Sequence, residues 1–252
     1  MTRRRRALVL GALGATLLVA VLAWHPWAGY TVPPRGVEES TPAEASGPAP
    51  VPAIIWPYGT PDDGPWADDE WVLALRQFDL LTAAANYHHD YSDPRLTAFA
   101  SEQSLQSRAV GAFNAALGAR DPDHRLFRPI TYRPGPRPLV VLAVEPGKIG
   151  ATIRVCVPES WGATSTDDVH DPPDTGIVRR WEMYRTPTGD IWPTDPHPEV
   201  SRGGGTTPCD LSRVRFGYFD PAPPYGEAVD PGTVIGPDGT PVAPISSGTG
   251  SA

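Results

Sequence analysis

The spacing of apolar residues changes from helical to alternating about halfway along the chain. Between residues 69 and 87 apolar side chains recur every three or four positions, which predicts an α-helix; they are Trp71, Leu75, Phe78, Leu81, Thr82 and Ala85. The segment 92–100 opens with Ser-Asp-Pro and predicts a short second helix. The segment 101–117 carries another apolar stripe and is followed by Gly118, which predicts a third helix.

Beyond residue 125 the apolar residues alternate or run together, as they do in β-strands. The predicted strands are 127–132, 138–144, 151–157, 177–185, a return strand that starts at 191–192, and 212–219. In the fourth of these strands the pattern places Trp181, Met183 and Arg185 opposite Arg180, Glu182 and Tyr184. Three helices followed by mostly antiparallel strands predict an α+β domain, with the helices packed on a curved antiparallel sheet.

The first 30 residues predict a membrane anchor. Arg3–Arg6 precede an apolar run from Ala7 to Trp24, which as a helix is about 27 Å long and just spans a hydrocarbon core of about 30 Å. The arginines are expected to stay in the cytoplasm, so the rest of the chain would be extracytoplasmic. The alternative is a secreted protein, produced by signal cleavage after Val21-Leu22-Ala23.

Composition divides the chain into four predicted parts. Residues 1–30 are the cytoplasmic segment Arg3–Arg6 and the transmembrane anchor. Residues 31–67 form a Pro/Ala-rich linker that contains the apolar island 54–58. Residues 68–220 form the folded domain. Residues 221–252 are rich in Pro, Gly and Ser, which predicts a disordered tail.

The charge and the cysteine content indicate which partners the domain can bind and whether it contains a disulfide. Of 21 basic residues four lie before residue 30, which leaves 17 basic against 29 acidic residues in the remainder. An acidic domain argues against nucleic acid as a partner. Outside the cytoplasm the only two cysteines, Cys156 and Cys209, predict one disulfide; two unrelated buried thiols are the alternative.

Catalytic and metal-binding motifs are absent from the sequence. It contains no G-x-S-x-G, no H-E-x-x-H and no glycine-rich phosphate loop. The cluster His88-His89-Asp90 ends the first predicted helix, where the helix dipole favours histidine without a ligand role. The acidic segment Asp167–Asp174 is interpreted as a solvated loop. We therefore expect no metal and no cofactor.

The order of elements resembles the cone-shaped NTF2-like (cystatin-like) domain. Three segments carry the resemblance: 92–105, which matches the passage between the second and third helices, 153–157, a strand with one cysteine, and 180–192, the hairpin that follows. The whole chain is similar to small actinobacterial envelope proteins that have a membrane segment, a Pro/Ala linker and one such domain. The resemblance covers 68–220, and the Pro-rich segment 158–176 departs from it.

The resemblance implies a fold that serves isomerases, ligand binders and non-catalytic assembly modules. Four residues could reach the inside of such a cone: Asp79, Tyr87, His88 and Tyr184. An isomerase or dehydratase would need one of them there. The apolar stripe of the first helix places Asp79 towards solvent, so we expect no catalysis.

These observations favour a single-pass, non-catalytic module that binds another envelope protein, such as a subunit of a secretion, conjugation or transport assembly. The expected contacts are aromatic, since Trp and Tyr dominate interface energetics: Trp56, Tyr58, Trp66 and Trp161. Lipid or small-molecule binding in the cone is the second hypothesis. An isomerase-like enzyme is the third.

Overall fold

The computed structural model describes residues 49–120, 130–165, 167–169, 175–201 and 203–243. Over these residues the fold is α+β, with two α-helices and a curved antiparallel sheet, as the sequence predicts. The predicted anchor at 7–24 lies outside the described residues, as do residues 31–48 of the linker and the end of the tail. No helix in the described ranges is long and apolar enough to cross a membrane.

Helix α1 (Glu70–His88) lies within one residue of its predicted bounds. Asp69 caps its first turn, where its carboxylate accepts hydrogen bonds from the backbone N–H groups of Trp71 at 2.9 Å and Val72 at 3.2 Å. His89 follows the helix with φ at 54°, a left-handed conformation that few residues other than glycine adopt. The cap and this residue set the length of α1.

The second predicted helix is a 3-10 helix, Pro94–Ala98, so the described residues contain two α-helices rather than three. The carboxylate of Asp93 caps it by accepting a hydrogen bond from the backbone N–H of Arg95 at 2.9 Å. Helix α2 spans Glu102–Arg120. It buries an apolar stripe at helical spacing, made of Leu105, Ala109, Phe113 and Ala116.

The main sheet is antiparallel, with its four longest strands in chain order. They are β2 (Val140–Pro146), β3 (Gly150–Pro158), β4 (Gly176–Arg185) and β5 (Ile191–Pro193). Two short strands, β6 (His197–Pro198) and β7 (Pro208–Cys209), also pair with β4. The register between β2 and β3 shifts between Val141 and Ala143, and such a bulge bends the strand that carries it.

Alternation along β3 and β4 defines the inner face of the sheet. On β3 this face carries Ile153, Val155 and Val157, which are buried in the main core together with residues of both helices. On β4 the buried residues of the same parity are Ile177, Trp181 and Met183. Arg179 lies between them and pairs with Val155 across the two strands. This face of β4 therefore carries two arginines: Arg179 lies among apolar side chains, and Arg185 lies at the end of the strand, where it pairs with Glu70 at 2.6 Å.

The two weaker strand predictions are only partly correct. Within 127–132 the described residues form a single bridge, between Tyr132 and Ala163. Within 212–219 only the end is a strand, β8 (Tyr218–Asp220), which pairs with β1 (Ala53–Ile55) in a separate two-stranded sheet.

The folded domain extends beyond both predicted boundaries. Residues 53–55 of the predicted linker form β1, and Trp66 packs against the main core. Val234 and Val242 of the predicted tail are buried in that core, with 0% and 6% of their surface exposed. The prediction of disorder is thus wrong for 221–243, because this proline-rich segment packs through isolated apolar residues rather than through regular elements.

The predicted disulfide is confirmed. Cys156 and Cys209 are bonded, with their Cα atoms 5.8 Å apart. The bond joins the buried strand β3 to the short strand β7. Within the sheet, β7 is hydrogen-bonded to β4 and not to β3. It therefore holds the segment after residue 200 against the sheet.

Candidate functional site

Asp79 is buried, with 8% of its surface exposed, so the prediction that it faces solvent is wrong. Leu75 and Thr82 lie four residues before and three residues after it, on the same side of α1, and both are buried. The buried face of α1 is therefore wider than the apolar stripe indicated, because it includes a carboxylate.

Three arginines, which we call the arginine cluster, lie on or near the inner face of the sheet beside this carboxylate, two of them in direct contact with it: Arg133 and Arg137 contact Asp79, and Arg179 acts electrostatically on Arg137. The Oδ2 atom of Asp79 accepts a hydrogen bond from the backbone N–H of Arg137. Its Oδ1 atom lies 3.6 Å from Nη1 of Arg133. The guanidinium of Arg137 lies 5.5 Å from the ring centroid of Trp181, in cation–π contact. Arg179 projects from the same face of β4, two residues before Trp181.

The arginine cluster carries more positive than negative charge. Burial lowers the pKa of Arg137 to about 10; Asp79 raises it, while Arg133, Arg179 and Arg108 lower it further. Over the part of the chain that the structure describes, neither Arg137 nor Arg179 has a carboxylate within ion-pair distance of its guanidinium. Over the same residues, the one carboxylate paired with a member of the cluster is that of Asp79, with Arg133.

A pocket of about 220 Å³ lies beside the cluster, where α1 and the start of α2 meet the end of the β4–β5 hairpin. Phe78 and Phe99 contribute an apolar wall, and their ring centroids are 6.3 Å apart. Arg108 lies over the ring of Phe78, with 5.7 Å between Cζ and the centroid. The polar part of the lining consists of Ser101, Ser104, Arg108, Tyr184, Trp192, Thr194 and Asp195.

Two hydrogen-bond donors at this pocket lack acceptors. Nε of Arg108 and Nε1 of Trp192 are both buried and have no partner among the described residues. Nη2 of Arg108 is paired with Asp195 at 2.9 Å, and the side chain of Asp195 is 81% exposed. Buried donors are normally satisfied in folded proteins, so two unsatisfied donors on residues that line one pocket are an unusual feature of this part of the structure.

The four predicted pocket residues do not come together. Asp79 belongs to the arginine cluster, and Tyr184 lines the pocket with its ring 6.0 Å from that of Trp192. Tyr87 packs edge-on against Phe219, with 5.4 Å between the centroids. His88 lies at the end of α1, where Nε2 is 2.9 Å from the carbonyl oxygen of Pro50.

Of the four predicted interface aromatics, Tyr58 is strongly exposed, at 73%. Trp56 packs on Gly217, where an added Cβ would lie 2.6 Å from the indole ring. Trp66 packs against the main core. The indole N–H of Trp161 donates to the carbonyl of Gly135 at 3.1 Å. Three of the four therefore cover apolar surface within the domain.

No group of three or more His, Cys, Asp or Glu side chains that could hold a metal ion occurs among the described residues. The segment Asp167–Asp174, which was interpreted as a solvated loop, lies mostly outside them. His89 is partly buried beside Tyr132, with Nε2 3.5 Å from the phenol oxygen. Burial lowers the pKa of His89, and the adjacent His88 lowers it further.

Comparison with protein-family models, curated proteins and solved structures found no match for this chain. The resemblance to NTF2-like domains therefore stays a prediction.

The sequence contained a signal for one of the arginines that were missed. Strand parity places Arg179 on the same face as Trp181 and Met183, which the pattern already assigned to one side of β4. Arg133 and Arg137 lie in an irregular, proline-rich stretch between elements. No periodicity indicates the direction of side chains in such a stretch.

Proposed function

We propose that this chain is a non-catalytic, extracytoplasmic binding module, held at the membrane through residues 7–24, that takes a small ligand into the pocket beside Phe78. The observation that carries the proposal is the pair of buried donors, Arg108 Nε and Trp192 Nε1, that lack acceptors at one cavity. On this view the domain is an NTF2-like cone with its ligand at the open end.

Binding rather than catalysis is supported by where the ionisable residues lie. A general acid or base must reach the reacting atom directly or through one water. Asp79 is engaged by Arg133 and by the backbone of Arg137. His88 contacts the carbonyl of Pro50. Neither residue lines the pocket. The carboxylate that does line it, that of Asp195, is 81% exposed and paired with Arg108, and Tyr184 packs against Trp192, which favours binding over proton transfer.

The lining specifies the class of ligand. A volume of about 220 Å³ is below the range of about 300–1,000 Å³ that is typical of sites for drug-sized molecules. Phe78 and Phe99 favour an apolar or aromatic body. Arg108 favours a carboxylate, which can displace the exposed Asp195 at little cost because exposed ion pairs contribute at most about 1 kcal/mol. The ligand we propose is a small aromatic or branched carboxylate.

The test is an NMR titration of the purified full-length protein with benzoate, using the indole N–H resonance of Trp192 as the reporter. Trp192→Phe identifies that signal among those of the eight tryptophans. We expect the signal to move with benzoate and to stay still in Arg108→Met. Arg120→Met is the matched control, because Arg120 lies on the same helix and also pairs with an exposed carboxylate, that of Asp230, at 3.3 Å. A reporter that never moves, or that moves equally in Arg108→Met, contradicts the proposal.

A protein partner is the second candidate, and a different observation favours it. Among the described residues strand β1 pairs on one edge only, with β8, and the nearby side chains of Ile55 and Tyr58 are 52% and 73% exposed. An unpaired strand edge with apolar side chains can accept a strand from another protein. Photocrosslinking in the native membrane from position 58, with exposed position 200 as the control, tests this candidate. A single envelope protein captured from 58 alone supports it, and equal labelling from both positions contradicts it.

A further inference from the structure

We propose that the arginine cluster is an anion site that binds a phosphate group, as inorganic phosphate or as a phosphomonoester. The proposal concerns Arg133, Arg137 and Arg179, and none of these residues lines the pocket discussed above. It therefore holds or fails independently of the carboxylate ligand proposed for that pocket.

The charge at the cluster matches a dianion. Among the described residues, Asp79 is the one carboxylate within ion-pair distance of any of these three guanidinium groups, and it is paired with Arg133, which leaves two positive charges in excess. The neighbouring Arg108 adds no further excess, because it is paired with Asp195. A phosphomonoester carries about −1.5 to −2 at neutral pH, so one bound phosphate group compensates the cluster. A monocarboxylate would leave about one positive charge uncompensated in a partly buried site.

The geometry holds the two least compensated arginines in place. The backbone N–H of Arg137 is bonded to Asp79 on α1, while its guanidinium lies over Trp181 on β4. Arg179 extends from the inner face of β4, between Ile177 and Trp181. Arg137 is thus fixed at two points and Arg179 starts from a central strand, and guanidinium groups bind the oxygens of an oxyanion in a bidentate manner.

The excess charge of the cluster has a further consequence that can be measured. Like charges held together without a counter-charge destabilise the folded state, since unfolding separates them. A bound anion removes this repulsion and also stabilises the folded state by mass action. Removing one arginine should therefore relieve the repulsion and weaken phosphate binding at the same time, whereas removing a merely structural arginine should lower stability.

The test is thermal unfolding and calorimetric titration of the purified full-length protein in phosphate-free buffer. Inorganic phosphate is expected to raise the melting temperature by about 2–4 °C at saturation, beyond the effect of sodium chloride at equal ionic strength. Arg179→Met is expected to weaken phosphate binding about 10-fold or more, by loss of a charge-assisted contact. It should melt at or above the wild-type temperature when phosphate is absent.

Arg180→Met is the matched control. Arg180 is the next residue along β4, lies on the opposite face, and pairs with Glu182 at 3.5 Å. It should change neither the binding nor the phosphate-dependent shift. Arg179→Lys keeps the charge but not the planar fork, and should bind with intermediate affinity. This variant keeps the proposal testable if Arg179→Met fails to fold.

Glycerol 3-phosphate and vesicles that contain phosphatidic acid separate the sources of the phosphate group. Tighter binding of glycerol 3-phosphate than of inorganic phosphate supports an ester ligand, and binding of the vesicles alone supports a lipid headgroup. No effect of any phosphate beyond that of sodium chloride overturns the proposal. The proposal is also overturned if Arg179→Met binds phosphate with the same affinity as the control variant Arg180→Met.

Discussion

Replacing Asp79 tests whether α1 buries a carboxylate, which is where the structure departs most from the helical pattern. Asp79→Ala removes the acceptor for the backbone N–H of Arg137 and the partner of Arg133 at 3.6 Å. Removing one member of a buried ion pair costs about 3–5 kcal/mol, because the other charge stays buried. Asp79→Asn keeps an oxygen acceptor but converts a charge-assisted hydrogen bond into a neutral one, which costs about 1–2 kcal/mol.

The assay is urea unfolding of the full-length protein, followed by tryptophan fluorescence. Trp181, which contacts Arg137, provides a local signal. Asp68→Asn is the control, because Asp68 is exposed and its change should stay within about 0.5 kcal/mol. We expect Asp79→Ala to be the most destabilising variant, Asp79→Asn to be less destabilising, and Asp68→Asn to be the least. If Asp79→Ala lowers the free energy of unfolding no more than the control does, Asp79 faces solvent, as the sequence pattern indicated. That result would refute the reasoning.

Three further predictions concern the disulfide, the end of α1 and two glycines. The Cys156–Cys209 bond spans 53 residues, so reducing it, or replacing both cysteines by serine, should cost about 4 kcal/mol in chemical unfolding. Because burial lowers the pKa of His89 below its ordinary value of 6.5, the unfolded chain binds the proton more readily. Stability should therefore fall as the pH drops through 6.5, and His89→Gly should remove most of this dependence in melts at several pH values while relieving the positive φ. A Cβ at Gly135 would lie 2.0 Å from a backbone oxygen, whereas Gly111 in α2 has open space around it. Gly135→Ala should therefore prevent stable folding, while Gly111→Ala should stabilise the protein by about 0.5–1 kcal/mol in the same melts.

Local patterns predicted the elements whose residues repeat regularly. Helix α1 and strands β3 and β4 lie within one residue of their predicted bounds, since a period of 3.6 or of 2 can be read from sequence alone. The boundaries of the domain could not be predicted in this way. Proline-rich segments such as 221–243 pack through single residues, and no period identifies these residues.

The candidate site was predicted only in fragments. Asp79 and Tyr184 were singled out from sequence, yet the structure places Asp79 at the arginine cluster and Tyr184 at the neighbouring pocket. The partners that give each residue its chemical environment come from distant parts of the chain. Arg137 reaches Asp79 across 58 positions, and Arg108 reaches Asp195 across 87.

The sequence by itself determined the α+β class, the strongest helix and strands, and the single disulfide, because these depend on local periodicity and on having only two cysteines. It also carries the basic and apolar pattern from which the membrane anchor is predicted. Only the tertiary structure decided that Asp79 is buried, that it meets Arg133 and Arg137, and that two residues lining the pocket beside Phe78 carry unsatisfied donors. Burial and charge balance depend on which distant segments meet, and that is set by the packing of the whole domain rather than by any segment alone.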